Sequence, residues 1–257
     1  MNEHGYFESP LYHGMEESII NAYVAKVFGW MFVGLLVTAM TTLAIMYGIN
    51  VSYTFANTID TLVFGPAFIL VLVVQVGIVI VLQARVHKMH TSTAKVLYLL
   101  YAASMGLTLG LITVLYAYGT GGGLNAIGMA FMVTALCFGV MSLYGLNTKS
   151  DLTNISNLLR MGLLGLIVMM IVNMFIGSGM LDFLICAVGL FIFLGLTAAK
   201  TNRIKNHFAT VALQAETGGD EYLAQLASNL AIIGALQLYL SFVNMFMFIL
   251  RLMGRRR

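Results

Sequence analysis

Charge is what this sequence has least of. Only 9% of its 257 residues are Asp, Glu, Lys or Arg and 60% are hydrophobic, whereas ordinary soluble domains carry roughly 25% charged residues. That composition does not fit a water-soluble globule. Cysteine is scarce too: Cys137 and Cys186 both lie inside apolar runs, so there is neither a disulfide framework nor a zinc-binding spacing, and both read as small buried hydrophobes. The net charge of +3 is small and its positive residues are scattered through short loops, which excludes a nucleic-acid footprint. Acids are missing from the middle of every apolar run: Glu3, Glu8, Glu16, Glu17, Asp60, Asp151, Asp182, Glu216, Asp220 and Glu221 are all ten, and each falls outside a run or at its end. His4, His13, His87, His90 and His207 also lie outside the runs. Intramembrane hydrolysis needs a nucleophile with a base in reach, and these histidines form no metal-ligand spacing. The "GTGGG" at 119–123 lacks the lysine and the strand–helix context of a phosphate loop. The expectation is a protein that is not an enzyme and takes no cofactor or metal.

What the sequence does have is apolar length. Stretches long enough to cross about 30 Å of hydrocarbon recur seven times, from Tyr23 to Tyr47, Ile59 to Leu82, Val96 to Tyr118, Leu124 to Tyr144, Met161 to Ile176, Gly179 to Ala199 and Asn229 to Leu250. Turn-rich breaks separate them: "YGIN", "GTGGG", "NTKSDLTN" and "GSG". Only "GSG" divides the fifth run from the sixth, so those two should form a tight helical hairpin. The first run is too long for the core of a cleaved signal peptide and reads as a retained helix. The expected organisation is a polar, acidic N-terminal segment over 1–22, a transmembrane domain over 23–250 and a basic tail over 251–257.

Orientation follows from the lysines and arginines. With seven spans, the N-terminal segment and the second, fourth and sixth loops share one side, which holds Lys26, Arg85, Lys88, Lys95, Lys149, Arg160, Lys200, Arg203 and Lys205, nine of the 13. The positive-inside rule makes that side, and the N-terminus, cytoplasmic. Arg251, Arg255, Arg256 and Arg257 then lie outside against the rule, unless the last segment re-enters. Crossing is favoured, because Asn229 to Leu250 makes about 33 Å of helix.

The last run carries polar residues in register. Gly234, Gln237, Ser241, Asn244, Phe248 and Arg251 follow a 3, 4, 3, 4, 3 spacing, which gathers them on one helical face. Polar groups in hydrocarbon need partners, so the stripe of Gln237, Ser241 and Asn244 should turn inward, either as interhelical hydrogen bonding or as an internal polar path. "VNMF" occurs twice, at 172–175 and 243–246. With 18 Met and 16 Phe in the chain, coincidence competes with an internal repeat.

The segment "GALQLYLSFVNMFMFILRLMG" resembles the last helix of the Bax inhibitor-1 family, the transmembrane Bax inhibitor motif proteins, in its bacterial branch. The likeness extends through "FLGLTAAKTNRIK", "VNMFIGSG", "GVMSLYGLNTKSDL" and "RVHKMHTSTAKVLYLLYAASMGLTLG". It implies an all-α membrane protein, a seven-transmembrane-helix bundle with the C-terminal helix central, in the bacterial plasma (inner) membrane. The resemblance also exposes a departure. Family members usually carry one aspartate in "LYLDF" of the last helix and another in "YD" at the end of the sixth, regarded together as a pH-responsive sensor for calcium leak; here the matching positions are Ser241 and Lys200. Serine does not titrate, and a solvated lysine titrates near about 10.4. A lysine at a helix end ordinarily snorkels to the interface, which is the reading favoured for Lys200. Arg85 matches a basic residue that in the resembling proteins can pair with the dyad, but the favoured reading of Arg85, Lys88 and Lys95 is as orientation anchors.

By resemblance the function is to conduct or regulate a slow cation leak, of calcium or protons, linked to stress and cell-death protection. The alternative is a non-conducting interaction protein that binds and modulates a membrane protease or another membrane partner. Hard cations prefer several oxygen ligands including carboxylates, so the loss of both aspartates shifts weight toward the alternative.

Overall fold

The structure, a computed structural model, describes residues 10–85, 89–119, 123–148, 150, 152–214 and 220–254. The described residues form eight helices: α1 (Pro10–Val51), α2 (Tyr53–Phe64), α3 (Pro66–Arg85), α4 (Thr91–Gly119), α5 (Gly123–Asn147), α6 (Thr153–Ile176), α7 (Gly179–Gln214) and α8 (Asp220–Gly254). All but α2 contain a segment long and apolar enough to cross a membrane, seven in all. The protein is therefore an all-α multi-pass membrane protein, as its apolar runs predict.

Two breaks differ from the sequence expectation. "YGIN" does not end the first helix, which continues to Val51 with the Asn50 amide donating back to the Met46 carbonyl at 2.8 Å. The second run is divided instead, into α2 and α3, at Gly65–Pro66. Proline disfavours helical geometry in the residue before it, and Gly65 is extended at φ −93°, ψ 168°. Pro66 then starts α3, where its missing N–H costs nothing. Ser52 caps α2 by accepting from the Phe55 N–H at 3.3 Å. The expected hairpin at "GSG" is present: Gly177 takes a left-handed φ of 66°, its N–H meets the Asn173 carbonyl at 2.7 Å, and the Ser178 N–H donates to Asn173 Oδ1 at 3.1 Å. These contacts satisfy groups that the end of α6 would otherwise leave open. The break at "GTGGG" lies largely outside the described residues.

Outward faces are apolar. Met174 and Phe175 on α6 are 74% and 80% exposed, and Phe191 on α7 is 73% exposed. So continuous an apolar surface suits hydrocarbon and would be an association hazard in water. The two copies of "VNMF" meet opposite environments: Met174 and Phe175 face outward, while Val243, Met245 and Phe246 are buried. They are not equivalent elements of a packing repeat.

Enclosure differs sharply between spans. The apolar window of α8 is 72% buried and that of α6 only 6%. α8 packs against α7, α1, α5 and α4, while α3 rests chiefly on α4 and α6 on α7. α8 also runs unbroken from Asp220 to Gly254. Small residues let the backbones approach, as is usual where no hydrophobic force drives helices together. Gly106 of α4 faces the backbone of Thr38 on α1, Gly145 of α5 faces the Ala198 backbone on α7, and Gly189 of α7 seats the Phe248 ring of α8.

Candidate functional site

The two positions that match the family dyad meet between α7 and α8. The run "LTAAK" brings α7 down onto α5 through its small residues, with Ala198 against Gly145, and so places Lys200 beside α8. Its Nζ donates to Ser241 Oγ at 2.8 Å and to the Gln237 carbonyl at 3.3 Å. Ser241 is fully buried, and its hydroxyl donates in turn to the Gln237 carbonyl at 3.2 Å. The expectation that Lys200 snorkels to the interface is thus corrected. A serine hydroxyl and a helix carbonyl, both electron-rich, hold the ammonium inside the bundle. The result is a lysine side chain hydrogen-bonded at the two positions where the resemblance leads one to expect a pair of carboxyl groups.

The stripe of α8 is divided by its partners. Gly234 faces Val27 of α1 and Ile204 of α7; Lys200 takes the Ser241 hydroxyl and the Gln237 backbone carbonyl, and Gln237 borders a cavity. Asn244 is half-buried and turns its amide onto its own helix, donating to the Leu240 carbonyl at 2.7 Å. Arg251 is exposed. A cavity of about 250 Å³ with a mixed polar and apolar lining opens beside Tyr23 of α1, bordered by Gln83, Arg203, Ile204, Leu230, Ile233, Gly234 and Gln237. Gln237, which borders it, lies one helical turn from Ser241; neither Ser241 nor Lys200 is among its lining residues. Arg85 is exposed at the end of α3, whose main neighbour is α4 rather than α7 or α8. The structure does not bring it into the Lys200–Ser241 pair.

Three further cations, Lys26, Lys95 and Lys205, have partners within the protein. Lys26 Nζ donates to Ser228 Oγ at 2.8 Å. Lys95 Nζ lies 5.4 Å from the centre of the Trp30 ring, within cation–π range. Lys205 Nζ donates to the Leu146 carbonyl at 3.1 Å and Asn202 to the Gly145 carbonyl at 3.2 Å, so α7 satisfies the open carbonyls at the end of α5. His90 is exposed; His87 and the side chain of His207 lie outside the described residues. Among the described residues no group of three or more His, Cys, Asp or Glu side chains is placed to hold a metal ion.

A second polar cluster escaped the sequence reading. Thr38 Oγ1 on α1 sits 2.6 Å from the Tyr239 hydroxyl of α8 and 2.9 Å from the Ala102 carbonyl of α4, tying three helices together. Tyr98 and Tyr101 pack edge-on against the Tyr239 ring at 6.1 and 5.9 Å, an arrangement aromatic pairs favour. Tyr98 OH donates to the Trp30 carbonyl at 3.0 Å. On α3, buried Gln75 donates to the Ser104 carbonyl and to Thr108 Oγ1, both at 2.8 Å. The available signal was an isolated Gln in the middle of an apolar run, which has to face protein.

Fold and site together define a multi-pass helical membrane protein with a polar interhelical pair near one end of its bundle. Residues 20–257 match the family model described as Inhibitor of apoptosis-promoting Bax1, and the chain belongs to the Bax inhibitor-1 family. Inner membrane protein YbhL of Escherichia coli strain K12 is 36% identical over 93% of both chains. An uncharacterized protein of Borreliella burgdorferi is 36% identical over 93% of this chain and 94% of its own. An uncharacterized membrane protein of Streptococcus pyogenes serotype M3 is 30% identical over 92% and 93%. The E. coli relative is by name an inner membrane protein, and seven apolar helices fit integral localisation in the bacterial inner membrane here.

Proposed function

We propose that this Bax inhibitor-1 protein regulates a slow cation leak without acting as an enzyme, and that the Lys200–Ser241 contact is the closed state of its path. One observation carries the reading: the Lys200 ammonium lies 2.8 Å from Ser241 Oγ, one helical turn along α8 from Gln237, which borders a partly polar cavity. A monovalent cation about 4 Å from a fixed positive charge meets roughly 4 kcal/mol of repulsion at an effective dielectric constant near 20, which is about a thousandfold in occupancy. The penalty doubles for calcium. Passage therefore waits on excursions of Lys200 away from Ser241, and monovalent cations pass in preference to divalent ones.

A second reading is favoured by the same charge. In the spans the only acid is Asp182, in the first turn of α7, so no carboxylate is available at mid-membrane to draw a cation in. In that reading the bundle binds and modulates a membrane partner such as a protease and conducts nothing. The test is potassium and calcium flux through purified protein in liposomes against protein-free vesicles. A slow flux that favours potassium supports the leak; flux equal to that of empty vesicles overturns it in favour of the interaction reading.

A further inference from the structure

We infer that the wedge between α1 and α5 is a binding site for one acyl chain of a membrane phospholipid. α1 and α5 each pack on α8, and between them lies a cavity of about 300 Å³. Its floor is Phe242, Val243 and Phe246 of α8, all nearly inaccessible. Its long wall is the α1 segment from Leu35 to Met46, about 16 Å at 1.5 Å per residue.

The cavity is apolar although threonines line it. Thr38 turns its hydroxyl to Tyr239 and the Ala102 carbonyl, and Thr42 donates to the Gly106 carbonyl at 2.9 Å. Apolar cavities of this kind exclude water and take up apolar guests. The available space equals about ten water volumes at roughly 30 Å³ each, long and narrow, which is the shape of a hydrocarbon tail.

Continuity with the lipid-facing surface identifies the occupant. Leu43 at one lip is 61% exposed and Phe131 at the other 46%, so the groove opens sideways into the hydrocarbon that covers these helices. Gly128 of α5 lines the opening, and a Cβ added there meets nothing within 4 Å. The helix therefore leaves room at this point of the opening. The bilayer presents phospholipid tails at that opening continuously, and nothing else on the lipid-facing side competes at comparable concentration.

The test uses full-length protein in vesicles containing phosphatidylcholine brominated along its acyl chain, with tryptophan fluorescence as the probe. Trp30 is the chain's one tryptophan, so Trp30→Phe gives a silent background. In it, Phe246→Trp reports from the groove floor and Met132→Trp, at a site 66% exposed, reports contact with bulk lipid. The site predicts that brominated phospholipid quenches the floor reporter as strongly as the outward one. Adding Gly128→Leu abolishes floor quenching and leaves the outward reporter unchanged. Should Phe246→Trp fail to fold, as judged by circular dichroism, Phe242→Trp serves as the floor reporter. A floor reporter that stays unquenched overturns the proposal. So does quenching that persists with Gly128→Leu, and so does quenching by brominated fatty acid alone, which would make the guest a free amphiphile.

Discussion

Replacing Gly106 with alanine should loosen the packing of α1 on α4. A Cβ at this position would lie 2.7 Å from Thr41 Cβ, 2.6 Å from the Thr38 carbonyl oxygen and 3.1 Å from Thr38 Cα. Carbon atoms in comfortable contact sit at about 3.5 Å or more, so the helices must part by about 0.8 Å. Two of the three atoms belong to backbone and cannot swing aside. Separation of that size stretches the Thr42 bond to the Gly106 carbonyl from 2.9 Å to about 3.7 Å, beyond hydrogen-bonding range, and strains the Thr38 bond to Ala102 alike. Overpacking of this kind costs about 1–3 kcal/mol, and two interhelical hydrogen bonds add about 0.6 kcal/mol each. The better helix preference of alanine returns up to about 1 kcal/mol. The net loss is about 1–3 kcal/mol. Denaturation of the purified protein in mixed micelles, followed by far-ultraviolet circular dichroism, measures it. Gly139→Ala is the control, because a Cβ there meets nothing within 4 Å and stability should hold or rise. Equal stability of the two variants would refute close backbone approach as the basis of α1–α4 packing.

Gln75→Leu removes both bonds that tie α3 to α4 and should cost about 1 kcal/mol; amide exchange in α3 should speed up while that in α8 does not. Tyr239→Phe loses only the contact to Thr38, which keeps a carbonyl acceptor on α4, so its loss in the same denaturation assay should stay below about 1 kcal/mol. A drop several times larger would mean that the hydroxyl has a further structural role. For topology, alkaline phosphatase fused after Arg257 should be active and green fluorescent protein at the same place dark, because α8 spans the membrane without a break and the N-terminal side carries the positive charge. The opposite pattern would mean that the tail returns to the cytoplasm.

Most of the fold was legible because crossing hydrocarbon demands length and composition that few sequences have by accident. The α2–α3 break was also written in the sequence, as Gly65–Pro66, but apolar residues on both sides merged the two helices into one run. "YGIN" misled in the other direction: glycine and asparagine mark turns only where the backbone groups they free find other partners, and here Asn50 serves its own helix. The stripe on α8 could be read because 3, 4 spacing defines a face. Its partner could not, since a lysine where an apolar run stops can extend toward the interface or the interior, α7 continues past it to Gln214, and only the neighbouring Ser241 and Gln237 oxygens decide. Tyr239 lies about two residues' rotation from Gln237, on the far side of α8, and tyrosine in an apolar run reads as an interface residue until Thr38 appears beside it.

Cation flux through liposomes bearing wild type, Lys200→Arg and Lys200→Met tests the closure at Ser241 most directly. Methionine is unbranched and one atom shorter than lysine, and it removes both the charge and the bond to Ser241; arginine keeps the charge. Removing roughly 4 kcal/mol of repulsion should raise potassium flux through Lys200→Met by one to three orders of magnitude over wild type, with Lys200→Arg staying near the wild-type rate. Flux through folded Lys200→Met that equals wild type would contradict a path closed by this ammonium.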